Sequence, residues 1–280
     1  MVERLTITLD KEMLDAIDLM IDNVEVKNRS HAISVLLKKA LGATMPKKAV
    51  ILCGGVGSRF RPITYEIPKA LIPVHGKPIV EHLLDLFKKF GVRDIVLCVG
   101  YLKERIREYF GDGAKFGVRI RYIEEDEPLG TAGGIKKARE MLQEPFFVTN
   151  GDELKDVDLT DMYLTHKTNK SSITIALTTV EDPSAYGVAD LSGSKILRFI
   201  EKPTKEEAPS NYISSGLYIM EPENIDLIPD GFSMLEKDVF PKVATSGRLF
   251  GYPFSGQWFD TGNPERYERA LKNWKGLKQN

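Results

Sequence analysis

Apolar and polar positions fall into two recurring patterns along most of this chain. KAVILC (48–53), DIVLCV (94–99) and PFFVTN (145–150) are apolar almost throughout, as strands buried on both faces are. Between them, IVEHLLDLFKKFG (79–91) and LKERIREYFG (102–111) carry apolar residues at the three- and four-residue spacing of an amphipathic helix. VRIRYIE (118–124) adds a strand and GTAGGIKKAREML (130–142) a helix. Strand and helix in alternation predict a parallel sheet covered on both faces. From SSITIAL (171–177) through NYISSGLYIM (211–220) to RLFGYPF (248–254), shorter-period alternation takes over and predicts a mixed β extension. The fold class is therefore α/β, a Rossmann-like, doubly wound, mostly parallel sheet with that extension.

The first forty-odd residues differ. RLTITLD alternates strictly, with Leu5, Ile7 and Leu9 on one side and Arg4, Thr6 and Thr8 on the other, which predicts a half-buried strand. Asp10 can cap a helix from Lys11 whose Leu14, Ile17 and Ile21 recur at helical spacing, and Asn28 or Ser30 can cap a second. That second helix is expected to turn Ile33, Leu36, Leu37, Ala40 and Leu41 inward and to end at Gly42. The domain reading is residues 1–43 as a small module, 44–47 as a linker and 48–280 as the main domain. One short strand and two helices bury too little to stand alone, so a second copy of the chain is expected to pair with the strand and interlock the helices as a homodimer.

Composition narrows the function. The 39 basic and 40 acidic side chains nearly cancel, so no global charge marks a nucleic-acid or membrane binder. No apolar run reaches membrane-span length, and MVERLTITLD lacks the basic start and apolar centre of a signal peptide. Cys53 and Cys98 each end an apolar run and are expected to be buried hydrophobes in a reducing, cytoplasmic setting.

The chemistry is concentrated after the first long strand, in LCGGVGSRFRP (52–62). Gly54, Gly55 and Gly57 let backbone N–H groups approach an anion, and Arg59 and Arg61 can neutralise a triphosphate. The spelling is neither a P-loop nor GxGxxG. Lys69 follows between two prolines that fix its direction. Asp152 in VTNGDEL and Asp260 in QWFDTG each follow an apolar or aromatic run, so both can meet at a sheet mouth and hold Mg²⁺ together with phosphates.

LCGGVGSRFRPIT followed by PKALIPVHGKPI, then EPLGTAGGI, NGD, YGV, FIEKP, SSGLYIM and WFDTGNPERY in order, resembles the sugar-1-phosphate nucleotidyltransferases over roughly residues 48–275. The resemblance implies that an NTP and a sugar 1-phosphate give an NDP-sugar and pyrophosphate with Mg²⁺, by in-line attack at the α-phosphorus. It assigns Arg59 and Lys69 to catalysis and Asp152 and Asp260 to the metal. The nucleotide falls to Leu52, Gly54, Gly55, Gly57, Ser58, Glu125, Gly130 and Thr131. Gly187, Glu201, Lys202 and Ser215 take the sugar phosphate, with serines where many relatives have an asparagine before Gly216. Glu125 stands where uridylyl- and thymidylyl-transferring relatives often place glutamine. A carboxylate only accepts, which suits the N1–H and N2–H₂ donors of guanine, and EPLGTAGG also resembles mannose-1-phosphate guanylyltransferases. GTP and mannose 1-phosphate are favoured, with a uridylyl- or thymidylyltransferase on glucose or another hexose 1-phosphate as the alternative.

Residues 4–41 resemble a ribbon-helix-helix module. By that resemblance Arg4, Thr6 and Thr8 would face base edges in DNA, and the backbone at Arg29 and Ser30 would meet phosphate. Residues 1–45 carry six basic against seven acidic side chains, whereas phosphate contact dominates DNA affinity. A dimerisation clamp and a DNA-binding module in a ligand-sensing regulator are thus both left open.

Overall fold

The computed structural model describes residues 6–22, 26–42 and 45–278, for 38, 39, 41 and 42 the backbone alone. The chain divides between Met45 and Pro46 into two compact units.

In the first unit, α1 (Lys11–Asp18) is capped by Asp10, whose Oδ1 accepts the Met13 N–H at 2.8 Å. α2 (Arg29–Gly42) is capped by Asn28, whose Oδ1 accepts the His31 N–H at 2.9 Å. Ile17 and Ala32 are buried, and Leu14 and Ile21 half-buried. Of the expected inward stripe of α2, Ile33 is half-buried, the Leu41 side chain lies outside the described residues, and the rest is exposed. Leu36 is 40% exposed, Leu37 55%, and Ala40 is exposed too. Two short helices of one chain cover only one narrow stripe, and Ala32 occupies it. Thr6, Ile7, Thr8 and Leu9 carry no ladder pairing, since a strand exists only against a partner edge; Arg4 and Leu5 lie outside the described residues. Arg29 forks onto Asp18 with two 2.6 Å hydrogen bonds.

The second unit, Pro46–Leu277, carries the large sheet. Its elements run β1 (Lys48–Cys53), β2 (Pro73–Val74), β3 (Lys77–Pro78), α3 (Ile79–Lys89), β4 (Asp94–Val99), α4 (Lys103–Phe110), β5 (Arg119–Glu124), α5 (Gly130–Lys137), β6 (Phe146–Asn150) and β7 (Glu153–Lys155). There follow α6 (Leu159–Thr168), β8 (Ile173–Thr179), β9 (Gly187–Ser192), β10 (Lys195–Glu201), β11 (Tyr212–Met220), a π-helical turn (Leu235–Val239), α7 (Phe240–Thr245), β12 (Leu249–Pro253), β13 (Trp258–Asp260) and α8 (Pro264–Asn273). Nine strands form one sheet in the order β5-β4-β1-β6-β11-β8-β12-β10-β9. β5, β4, β1 and β6 are parallel, and β11 joins β6 antiparallel to begin the mixed extension. Helices cover both faces. Phe146 and Val148 of β6 enter the core that includes Ala132 and Ile135 of α5, while the intervening Phe147 meets Phe87 of α3 at 5.8 Å. The helix expected over 130–142 is shorter: α5 stops at Lys137 and a 3₁₀ turn covers Arg139–Met141.

The chain leaves β1 toward β4 and β5, then returns to the other side of β1 as β6. That reversal makes β1/β6 the switch point, where sheets of this kind bind ligands beyond their carboxyl ends. β7 and β13 form a separate two-stranded ribbon there, with Asp260 paired to Glu153. Lys155 of β7 is 1% exposed. Its ammonium donates to Thr149 Oγ1 (3.0 Å), Glu153 Oε2 (3.1 Å) and the carbonyls of Ser215 (2.7 Å) and Gly216 (3.2 Å). Removing one partner of such a buried pair strands the other charge, so Lys155→Met is expected to cost about 3 to 5 kcal/mol, read as a lowered urea midpoint; wild-type stability in that variant would refute the account.

Candidate active site

Four segments converge on a cleft of about 470 Å³ above β1 and β6. The first is the glycine-rich loop. Gly57 sits at φ +67°, a left-handed conformation that glycine adopts without strain. A Cβ there would lie 2.9 Å from Thr64 Cγ2, and Thr64 Oγ1 donates to the Gly57 carbonyl at 2.8 Å. Leu52, Gly54, Gly55, Gly57, Ser58 and Arg59 all line the cleft. Arg61 does not join them: it is exposed and stacks over Tyr65 at 5.0 Å.

Lys69 comes next, opening a 3₁₀ turn behind extended Pro68. Its side chain is 12% exposed and pairs with Asp152 Oδ2. Burial disfavours the charged Asp152 carboxylate, but Lys69, backed by Lys155 and Arg59, outweighs burial and holds its pKa below the usual range. Asp152 follows Gly151, whose N–H donates to the Leu52 carbonyl at 3.0 Å across the switch point. The Asp152 carbonyl in turn accepts the Thr261 N–H (3.1 Å) and Oγ1–H (2.7 Å), which places Asp152 beside the end of β13. Asp260 is 8% exposed and paired with Arg266. Asp260 itself does not line the cleft, but Gly262 does, and a Cβ on Gly262 would lie 2.7 Å from Asp260 Oδ1. Between and behind the two aspartates, Glu153 accepts from Asn150 Nδ2 and Trp258 Nε1 at 3.0 Å each. Burial, reinforced by Asp152 and Asp260, pushes its pKa up to about 6.

The third segment carries Glu125, Gly130 and Thr131. Glu125 is 8% exposed, and burial raises its pKa despite the Leu129 N–H donated to Oε2 at 3.3 Å. Its carboxylate occupies a slot made by glycines. A Cβ on Gly54 would lie 2.8 Å from Oε2, and one on Gly134 2.7 Å from Oε1. The two glycine motifs therefore meet on one carboxylate.

The fourth segment brings the sugar-side residues together unevenly. Glu201 and Lys202 both line the cleft, although consecutive strand residues normally point apart. Lys202 lies just past β10 at φ +50°, and this turns it back so that Nζ stands 3.4 Å from Glu201 Oε1. Gly187 is paired with Glu201 in the β9/β10 register, and a Cβ there would lie 2.9 Å from Glu201 Oε2. Ser215 departs from expectation. It is fully buried and its Oγ donates to the Ala176 carbonyl at 2.9 Å, facing β8 and not the cleft. The register of β11 shifts between Ser214 and Tyr218, around Gly216 at φ +61°, and that irregularity redirects the serines. Ser214 Oγ likewise turns inward, to Tyr218 Oη at 3.2 Å.

Several lining or supporting residues escaped the sequence reading, among them Phe232, Met234, Glu236 and Arg266. Arg266 stood in plain view in NPERY. Glu236 did not, because SMLEKDVF has the spacing of a surface helix, and only the π-helical turn aims it inward. Cys53 lines the cleft too, but burial, with Asp152 and Glu125 nearby, pushes its thiol pKa well up and leaves it unreactive. Among the described residues no group of three or more His, Cys, Asp or Glu could hold a metal, and no helix is long and apolar enough to cross a membrane.

Known proteins match this arrangement. A mannose-1-phosphate guanyltransferase beta-B of Xenopus laevis is 41% identical over 226 residues, covering 79% of this chain and 62% of that protein. A UTP–glucose-1-phosphate uridylyltransferase of Synechocystis is 42% identical over 243 residues, covering 80% and 62%. This chain thus spans about 62% of the length of these relatives. Among solved structures, HddC from Yersinia pseudotuberculosis complexed with GMP-PN is similar with a TM-score of 0.70 at 28% identity, covering 82% of this chain and all of that one. A UDP-glucose pyrophosphorylase complexed with UDP-glucose gives 0.72 at 25% identity, covering 81% and 98%. The family described as Nucleotidyl transferase matches residues 48–275, and with the glycine-rich loop, Lys69 and Asp152 assembled at the switch point, this chain belongs to the nucleotidyl transferase family.

Proposed function

We propose that the chain transfers a guanylyl group from GTP to mannose 1-phosphate, forming GDP-mannose and pyrophosphate. The observation that carries the choice of base is Glu125, an acceptor-only side chain held in a glycine slot at one end of the cleft. Guanine offers two adjacent donors to such a group, whereas a pyrimidine would present a carbonyl to it. Relatives named mannose-1-phosphate guanylyltransferases, from Xenopus to Mycobacterium tuberculosis, support the same reading. A second reading, uridylyl transfer to glucose 1-phosphate, is favoured by the 42% identical Synechocystis relative.

The reaction forms one bond, from a sugar-phosphate oxygen to the α-phosphorus, and breaks the bond from that phosphorus to the bridging oxygen of the departing pyrophosphate. Positioning and charge do the work, without a covalent nucleophile. Backbone N–H groups of Gly54, Gly55 and Gly57 cradle the triphosphate, with Ser58 at the loop's end. Arg59 and Lys69 balance its charge as pyrophosphate leaves. Lys202 holds the sugar phosphate and Glu201 accepts from a sugar hydroxyl, with Gly187 leaving room for that carboxylate. Leu52, Gly130 and Thr131 form the wall against nucleoside and base.

Asp152 and Asp260 fit Mg²⁺. They are two hard carboxylates from adjacent backbone, a side chain at cleft-lining Gly262 would crowd the second one, and Mg²⁺ commonly takes one or two protein carboxylates plus phosphates. When bound there, Mg²⁺ supplies charge neutralisation to the triphosphate.

Residues 1–43 serve in this reading as a ribbon-helix-helix dimerisation clamp. Exposed Ile7, Leu36 and Leu37 support it, being the positions a second copy would cover. No observation favours DNA contact by Arg4, Thr6, Thr8, Arg29 and Ser30, and the segment is net acidic.

Asp152→Asn is expected to lower kcat for pyrophosphate release by about 10²- to 10³-fold, the scale of losing one pre-organised charge group, with the melting temperature little changed; retained turnover would remove Asp152 from the site. Glu125→Gln is expected to shift the GTP-over-UTP ratio of kcat/KM toward UTP by about 10- to 100-fold. The pH profile gives the sign. Burial raises the Glu125 pKa, so the ionised, guanine-reading form is lost on acidification earlier than an ordinary carboxylate would be. KM for GTP should therefore climb as pH falls through that raised value, and Glu125→Gln should lack this acid limb; an unchanged base ratio and profile would move base choice elsewhere. Finally, Leu37→Glu in the full chain should convert a dimer to a monomer by light scattering, whereas a monomeric wild type would end the clamp reading.

A further inference from the structure

Glu236 has no part in the chemistry so far, yet it lines the same cleft as Glu201 and Lys202 and is only 8% exposed. Its position is built. The π-helical turn Leu235–Val239 carries it, a rare element frequently found at functional sites. Thr131 Oγ1 donates to Glu236 Oε2 at 2.5 Å, and the same hydroxyl accepts the Leu235 N–H at 2.9 Å. Backbone bonds from Ala132 N–H to the Ser233 carbonyl and from Ser233 N–H to the Leu129 carbonyl, both 3.0 Å, fasten the turn to the start of α5. Gly130 permits this approach, since a Cβ there would lie 2.3 Å from Ser233 O.

Among the described residues no cation pairs with Glu236, and Glu201 is near enough to push against its charge while Lys202 draws on it. A carboxylate has about four acceptor sites. Thr131 and the Glu236 backbone N–H engage this one, which leaves acceptor capacity on a group facing the cleft. A buried carboxylate without a cation needs neutral donors. Two carboxylates in one cleft repel phosphate and base carbonyls, and both suit the hydroxyls of a sugar ring. Ribose also bears hydroxyls, but the π-helical turn that carries Glu236 packs against β10, whose end brings Glu201 and Lys202 to the cleft. That places it at the sugar end.

We infer that Glu236 is a specificity-determining residue, which with Glu201 reads hydroxyls of the hexose ring of the sugar 1-phosphate. This rests on the nucleotidyl-transfer reading above. Its test is initial-rate kinetics on wild type and Glu236→Gln, with GTP and UTP against mannose and glucose 1-phosphates and their monodeoxy analogues. Titration calorimetry of each sugar 1-phosphate and each NTP gives a readout that does not depend on turnover. The expected result is KM for the sugar 1-phosphate raised about tenfold, as loss of one charge-assisted hydrogen bond allows, with KM for the NTP within about twofold. One monodeoxy analogue should be discriminated against by wild type and no longer by the variant. Unchanged sugar KM and selectivity, or a shift in NTP affinity alone, overturns the inference while wild-type turnover leaves the parent reading standing. A wild type inactive across the panel overturns both. Should Glu236→Gln fold poorly, Glu236→Asp, which keeps the charge and withdraws it by one methylene, must show the same split between sugar and NTP.

Discussion

One backbone hydrogen bond at the switch point holds the site together: Gly151 N–H to the Leu52 carbonyl, 3.0 Å across the ends of β1 and β6. A Cβ at Gly151 would sit 2.7 Å from that same oxygen, so the close approach requires glycine. It sets the glycine-rich loop after β1 against the aspartate after β6. Beside this contact Lys69 and Arg59 act on Asp152, which Lys155 supports from the buried side.

That support shows how a cluster of carboxylates survives burial. Asp152 and Asp260 add to the cost of ionising buried Glu153, and Lys155, itself without solvent, offsets part of it. Lys155 also bonds the irregular stretch of β11, which ties the β7/β13 ribbon to the sheet extension. Buried ion pairs add little net stability compared with apolar packing. Here the pairing has another consequence, because Lys155 joins β7, β6 and β11 beside the cleft.

Much of this was legible in the sequence, and the reasons it stopped short are local. Apolar runs and amphipathic spacing gave the parallel half, because strands buried on both faces leave an unmistakable pattern. The glycine motifs marked the loop that lines the cleft, although not that Gly54 and Gly134 also make room for Glu125, which depends on packing between segments eighty residues apart. The backbone breaks period two at two places that the sequence does not mark. Lys202 turns back through a positive φ, and Ser215 turns away at a strand irregularity. Glu236 was hidden because a π turn looks like an ordinary helix until one knows where the extra residue goes. In the first unit, the apolar spacing of α2 is correct as a pattern, but a pattern does not name the chain that buries it.

The fastening between the start of α5 and the turn at 233–236 makes a single wall of what the sequence writes as two distant segments. With Gly130 unable to accept a side chain, neither half can shift alone. For anyone reshaping this pocket, that means epistasis: substitutions at Thr131 and Glu236 share a hydrogen bond, and their effects should not add. A library that varies the nucleotide side and the sugar side separately would miss the productive combinations, which lie on the diagonal between them.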